Sequence, residues 1–97
     1  MEEKTRSKTE GGRIPPQDIV AEKSLLGAIM LSDAVLPEVL TILRARDFYE
    51  KRHEIIFDAM SRLYDQHKPI DLLTLTAELR TQKQLKDIGG ATYLTEL

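Results

Sequence analysis

The stretch Leu36-Pro37-Glu38-Val39-Leu40-Thr41-Ile42-Leu43 decides how the chain is read. Its apolar side chains at Leu36, Val39, Leu40 and Leu43 follow the i, i+3, i+4, i+7 spacing of one helix face, not the alternation of a half-buried strand. Pro37 fits this helix only in its first turn. There the missing N–H does little harm, whereas in the interior it would cost about 3 kcal/mol. Ser32 and Asp33 supply a start signal just upstream.

The same period extends in both directions. Upstream, Asp18 is placed to cap a helix with Leu25, Leu26, Ile29 and Met30 on one face and Glu22 near its positive end. Gly27 in its middle costs about 1 kcal/mol relative to Ala. With no second glycine or phosphate-gripping Lys beside it, it reads as a point of close approach by another helix. Downstream, Arg44 to Glu50 is a break anchored by Phe48 and Tyr49. Ile56, Ala59, Met60 and Leu63 then form a third stripe, widened by Phe57 and Tyr64, and Gln66 to Pro69 ends it. Asp71 opens a fourth helix with Leu72, Leu75, Thr76 and Leu79. A short turn holding Leu85 and Ile88 follows, closed by Gly89 with positive φ. After Gly90 a last helix begins with Tyr93, Leu94 and Leu97.

The expected fold is all-α, a compact orthogonal bundle of five or six short helices over residues 14–97. So short a final helix does not stand alone, so it is read as truncated and the chain as a piece of a larger protein. Residues Met1 to Arg13 carry no apolar side chain after Met1 and read as a disordered tail, with Ile14-Pro15-Pro16 as an extended hinge.

Composition narrows the function. Ninety-seven residues with 14 Lys or Arg against 16 Asp or Glu give a net charge of −2, which argues against non-specific DNA binding. No apolar run reaches the roughly 20 residues of a membrane span, and the start is too polar for a secretory signal. A cytoplasmic location is expected. Without cysteine, thiolate metal sites and thiol catalysis are excluded, and His53 and His67 alone make zinc an unpromising ligand.

Chemistry-bearing motifs are scarce. Gly89-Gly90 runs into Ala91-Thr92 and Gly11-Gly12 into Arg13, so neither forms a phosphate loop ending in Gly-Lys-Ser/Thr. His53 with Asp47, Glu50 or Glu54 could be written as a catalytic set, but the spacing is unspecific and a role in packing or at a helix start is the simpler reading. His67 is expected in solvent. Two basic runs, Arg44 to Arg52 and Arg80 to Lys86, are the places where phosphate contacts would be sought. Acidic residues dilute the first, which is better read as a charged loop around two aromatic anchors.

From Arg13 to Leu97 the features fall in a familiar order. Ile14-Pro15-Pro16-Gln17, Ala21-Glu22, Leu26-Gly27-Ala28, Asp47-Phe48-Tyr49, His53, Ile56-Phe57, Pro69-Ile70-Asp71-Leu72, Thr76-Ala77-Glu78-Leu79, Gly89-Gly90 and Tyr93-Leu94 together resemble the N-terminal domain of bacterial replicative DNA helicases of the DnaB family. Lys51 stands where the family often has Pro, and Gln66-His67-Lys68 lacks the Gly common in that turn.

The resemblance implies a non-catalytic assembly and docking head on a hexameric, ATP-driven 5′-to-3′ helicase. Its ATP and Mg would lie in a separate motor domain, which also makes most DNA contacts, so no cofactor is expected here. Implied partners are the C-terminal domain of primase and an initiator or helicase loader. In the family a helical hairpin that pairs subunits follows the head, and without motor and hairpin the chain is expected to be a monomer or weak dimer. The matched residues Asp18, Leu26, Gly27, Phe48, Tyr49, His53, Ile56, Phe57, Asp71, Leu72, Leu79, Gly89 and Gly90 read as core and caps. Tyr93, Leu94 and Leu97 are the candidate partner-binding group, expected to stand partly uncovered. The alternative from another class is a helix-turn-helix type DNA-binding module.

Overall fold

The computed structural model describes residues 18–97, so the expected tail and Pro15-Pro16 hinge lie outside the described residues. Five α-helices occur among them: α1 (Ile19–Leu31), α2 (Leu36–Leu40), α3 (Lys51–Asp65), α4 (Leu72–Thr81) and α5 (Gly90–Thr95). Single 3-10 turns stand at Asp33–Val35, Ala45–Asp47 and Lys86–Ile88, and no strand occurs among the described residues. The all-α expectation is met.

Local chemistry starts the helices where the sequence places them. The Asp18 carboxylate accepts the Ala21 N–H at 2.9 Å. Asp71 accepts the Thr74 N–H at 2.9 Å while the Thr74 hydroxyl oxygen accepts the Asp71 N–H at 3.0 Å, a reciprocal box that occupies two donors otherwise left orphaned. Around α3 the core assembles. It buries Ile56, Phe57, Ala59, Met60 and Leu63 against Leu26 and Ile29 of α1 and Leu75 and Leu79 of α4, joined by Leu36, Leu43, Phe48 and Ile88. The Phe48 and Phe57 rings lie 5.0 Å apart, tilted by 38°.

Three segments end in the same closure. In the turn after α3 the Lys68 N–H reaches the Leu63 carbonyl and the His67 N–H that of Tyr64, each at 3.0 Å. Gln84 and Lys83 repeat the pair on Leu79 and Arg80, and Gly90 and Gly89 repeat it on Leu85 and Lys86. This double bond pattern needs a left-handed residue at its centre. Gly89 supplies it at φ 99°, as expected; His67 and Lys83 adopt φ 60° without being glycine. The turn Gln66-His67-Lys68 therefore keeps the left-handed backbone without a glycine.

Several expectations are corrected. The stretch 36–43 yields the shortest helix, α2, because Arg44 leaves the helical region (φ −121°, ψ 161°) and its guanidinium bonds back to the Leu40 carbonyl at 2.8 Å. Leu43 stays inside nonetheless, its N–H still on the Val39 carbonyl at 2.9 Å. Tyr49 is not core but 59% exposed: Phe48 and Glu50 are both extended, and neighbours in extended backbone point to opposite sides. Leu72, the first residue of α4, is 41% exposed, as is Tyr64 in the last turn of α3. Gly27 does mark a close approach, but by backbone beyond a helix: a Cβ there would lie 2.9 Å from the carbonyl carbon of Leu97, past the end of α5.

Candidate functional site

The largest departure from apolar packing lies between α1, α3 and α5. Glu22 on α1 and His53 on α3 are both fully buried, and Tyr93 of α5 is nearly so. Glu22 lies on the stripe it shares with Leu26 and Ile29, and His53 on that of Ile56, Phe57 and Met60, so each helix carries one polar side chain into the interior. Glu22 Oε1 is 2.7 Å from His53 Nδ1, and His53 Nε2 is 2.6 Å from the Tyr93 hydroxyl. The same carboxylate accepts the N–H of Tyr49 on Oε2 and that of Glu50, at 3.2 Å, on Oε1.

These partners assign the protons. A carboxylate oxygen accepts, so the imidazole carries a hydrogen on Nδ1 and donates it to Glu22. In that tautomer Nε2 accepts from the Tyr93 O–H. Burial pushes the Tyr93 phenol up from its ordinary value, with the nearby Arg52 charge pulling against it. The Arg52 guanidinium carbon stands 3.7 Å from the centre of the Tyr93 ring, a cation–π contact. Its Nε is sealed from solvent, with the Glu50 carboxylate 3.5 Å away. Sealed on all sides, the Glu22, His53 and Tyr93 chain offers no substrate a path to its imidazole; what it can do is fix three elements in register.

A second polar pair ties α3 to α4. The Arg62 Nε–H donates to Glu78 at 2.7 Å, and Nη1 reaches Asp58 at 2.6 Å. That hydrogen bond holds the Glu78 carboxyl below its ordinary range, against the opposing effect of burial. Elsewhere the Asp33 carboxylate accepts the Ile70 N–H at 3.0 Å, bracing the approach to α4 rather than starting a helix of its own.

Of the sequence candidates, His53 is indeed in the packing, but none of Asp47, Glu50 or Glu54 is its carboxylate. Asp47 accepts the Arg44 N–H at 2.8 Å and Glu54 pairs with Lys51 at 3.6 Å. Sequence reasoning misses Glu22 as the partner of His53, because its place near the positive end of its helix already accounts for it. Tyr93 and Leu94, expected to stand partly uncovered, are 4% and 2% exposed. The acceptor that draws Tyr93 inward is on α3, out of reach of any local pattern. Leu97 is half-buried and lines, with Gly27, Met30, Leu31, Leu72 and Leu94, an open groove of about 370 Å³. Among the described residues no three His, Cys, Asp or Glu side chains gather as a metal site, and no helix is long and apolar enough to cross a membrane.

Residues 14–97 match the family described as the DnaB-like helicase N terminal domain. The chain belongs to that family. The replicative DNA helicase DnaB of Geobacillus stearothermophilus is 51% identical over 85 residues, which cover 88% of this chain and 19% of that protein. The replicative DNA helicase DnaB of Mycobacterium leprae is 45% identical over 89% of this chain and 14% of its own length. The crystal structure of the N-terminal domain of DnaB helicase from Mycobacterium tuberculosis superposes with a TM-score of 0.80 at 43% identity, covering 86% of this chain and 58% of that one. The chain thus spans a fifth or less of these full-length relatives. Within the DnaB N-terminal fold, the buried Glu22, His53 and Tyr93 chain is a structural clasp.

Proposed function

We propose that this domain is the non-catalytic head of a replicative DNA helicase, acting in ring assembly and in docking of primase and of an initiator or loader in the bacterial cytoplasm. The reading is carried by the family match across residues 14–97. The interior supports it: Glu22, His53 and Tyr93 are buried and bond one another. In this reading ATP and Mg are handled by a motor domain of the helicase and not by these 97 residues, which contain no Gly-Lys-Ser/Thr loop.

The DNA-binding alternative draws little from the basic run at Arg44 to Arg52, where Arg44 bonds the Leu40 carbonyl, Lys51 pairs with Glu54 and Arg52 lies on Tyr93. Calorimetric titration tests the proposal. The chain should bind the C-terminal domain of primase and give no heat with Mg-ATP. Micromolar nucleotide binding would sink the non-catalytic assignment, and failure to bind primase at high concentration would remove docking. Duplex binding with a steep salt dependence would favour the alternative.

A further inference from the structure

We propose that α5 is a hinged latch, opening as a unit about Gly89-Gly90 and bolted shut by the hydrogen bond from the Tyr93 hydroxyl to His53. The hinge is built of two consecutive residues in the left-handed region, Gly89 at φ 99° and Gly90 at φ 79°. A Cβ at Gly90 would meet nothing within 4 Å, whereas one at Gly89 would lie 3.4 Å from the Tyr93 Cβ, so the free side of the pivot is at Gly90. The helix that follows has six residues and no side-chain cap, too short to hold its shape without tertiary contacts.

α5 is held through Tyr93, Leu94 and Leu97, and among the described residues Tyr93 supplies its side-chain hydrogen bond to another helix. Tyr93 donates to His53 Nε2 at 2.6 Å and lies under the Arg52 guanidinium. Leu94 is buried, and the Leu97 backbone rests on Gly27. Of these, the Tyr93 hydrogen bond is the directional one, and its acceptor is held in place from the far side by Glu22. Opening withdraws Leu94 from the core and removes the α5 wall of the groove beside α1.

Native-state hydrogen exchange on the 97-residue chain reads this directly, whatever partner the domain serves. In Tyr93→Phe the amides of Leu94 to Leu97 should exchange at least tenfold faster than in the wild type, while those of Met60 and Leu63 in α3 change far less. Glu22→Gln loosens both the start of α3 and the imidazole that Tyr93 bonds, and should accelerate the α3 and α5 amides together. Equal acceleration of both sets in Tyr93→Phe, no acceleration in that variant, or selective freeing of α5 by Glu22→Gln would overturn the latch.

Discussion

Glu22 and His53 are 31 positions apart and meet with Oε1 2.7 Å from Nδ1, both sealed from solvent. The carboxylate also takes two backbone N–H groups from the residues just before α3, so one side chain fixes where the longest helix begins. An ionised group is costly to bury, and three donors converging on it offset that cost.

Glu22→Ala should therefore be among the most damaging single changes. It leaves the Tyr49 and Glu50 amides and the His53 Nδ1–H without their acceptor, a loss on the order of 3 to 5 kcal/mol. That is a large part of the total for a small domain, typically about 5 to 15 kcal/mol. Urea unfolding should show a midpoint far below that of the wild type; an unchanged midpoint would mean that the buried contact contributes no net stability.

The adjacent aromatics should behave oppositely. Phe48→Ala empties a site in contact with Phe57 and should cost roughly 3 to 5 kcal/mol. Tyr49→Ala removes a ring that is mostly in solvent and should stay within about 0.5 kcal/mol, since only its backbone N–H is held by Glu22. Paired thermal unfolding curves decide it, and equal losses would show that the Tyr49 ring packs.

Acid should weaken the domain partly through Glu78. Its hydrogen bond from Arg62 holds the folded carboxyl below the ordinary value of 4.5. A depressed folded value means that the contribution is present above the ordinary value and is lost as pH falls through the folded one. The stability difference between wild type and Glu78→Gln should then be greatest near neutrality and shrink in acid. Tyr93 works in the other direction: its raised phenol contributes below its ordinary value of 10.0, and that contribution is lost as pH rises through the folded value. A Glu78→Gln difference that is flat from pH 7 to pH 2 would remove this pair from the acid response.

How much of this was legible follows from what periodicity detects. Apolar spacing placed the helices, and Asp18, Asp71 and Gly89 marked ends that the structure keeps. The clasp is hidden because local chemistry already accounts for Glu22 at the positive end of its helix and for His53 in packing or at a helix start, and neither reading pairs the two. The available signal was their position: Glu22 stands four and seven residues before Leu26 and Ile29, and His53 four and seven before Phe57 and Met60. Complementary polar groups on two apolar stripes point to a buried pair. Tyr93 needed the tertiary location of its acceptor, and Leu72 was counted as core although its place at the start of α4 turns it to the groove rim.

The turn after α3 gives the last prediction its sharpest sign. His67 completes the double hydrogen-bond closure from a left-handed backbone at φ 60°, where a Cβ crowds the following carbonyl and costs about 1 to 2 kcal/mol. His67→Gly removes that strain and keeps both backbone bonds, while the greater freedom of glycine in the unfolded chain takes back about 0.5 to 1 kcal/mol. The imidazole is exposed. The net expectation is a gain of about 0.5 to 1 kcal/mol, seen as a rise of a few degrees in Tm. Lys83→Gly, at the same φ and the same position after α4, should give a similar gain, and the two should add because they close different helices. Alanine at either position keeps the Cβ and should gain nothing. If His67→Gly lowers Tm, or His67→Ala raises it equally, left-handed strain is not what limits this turn.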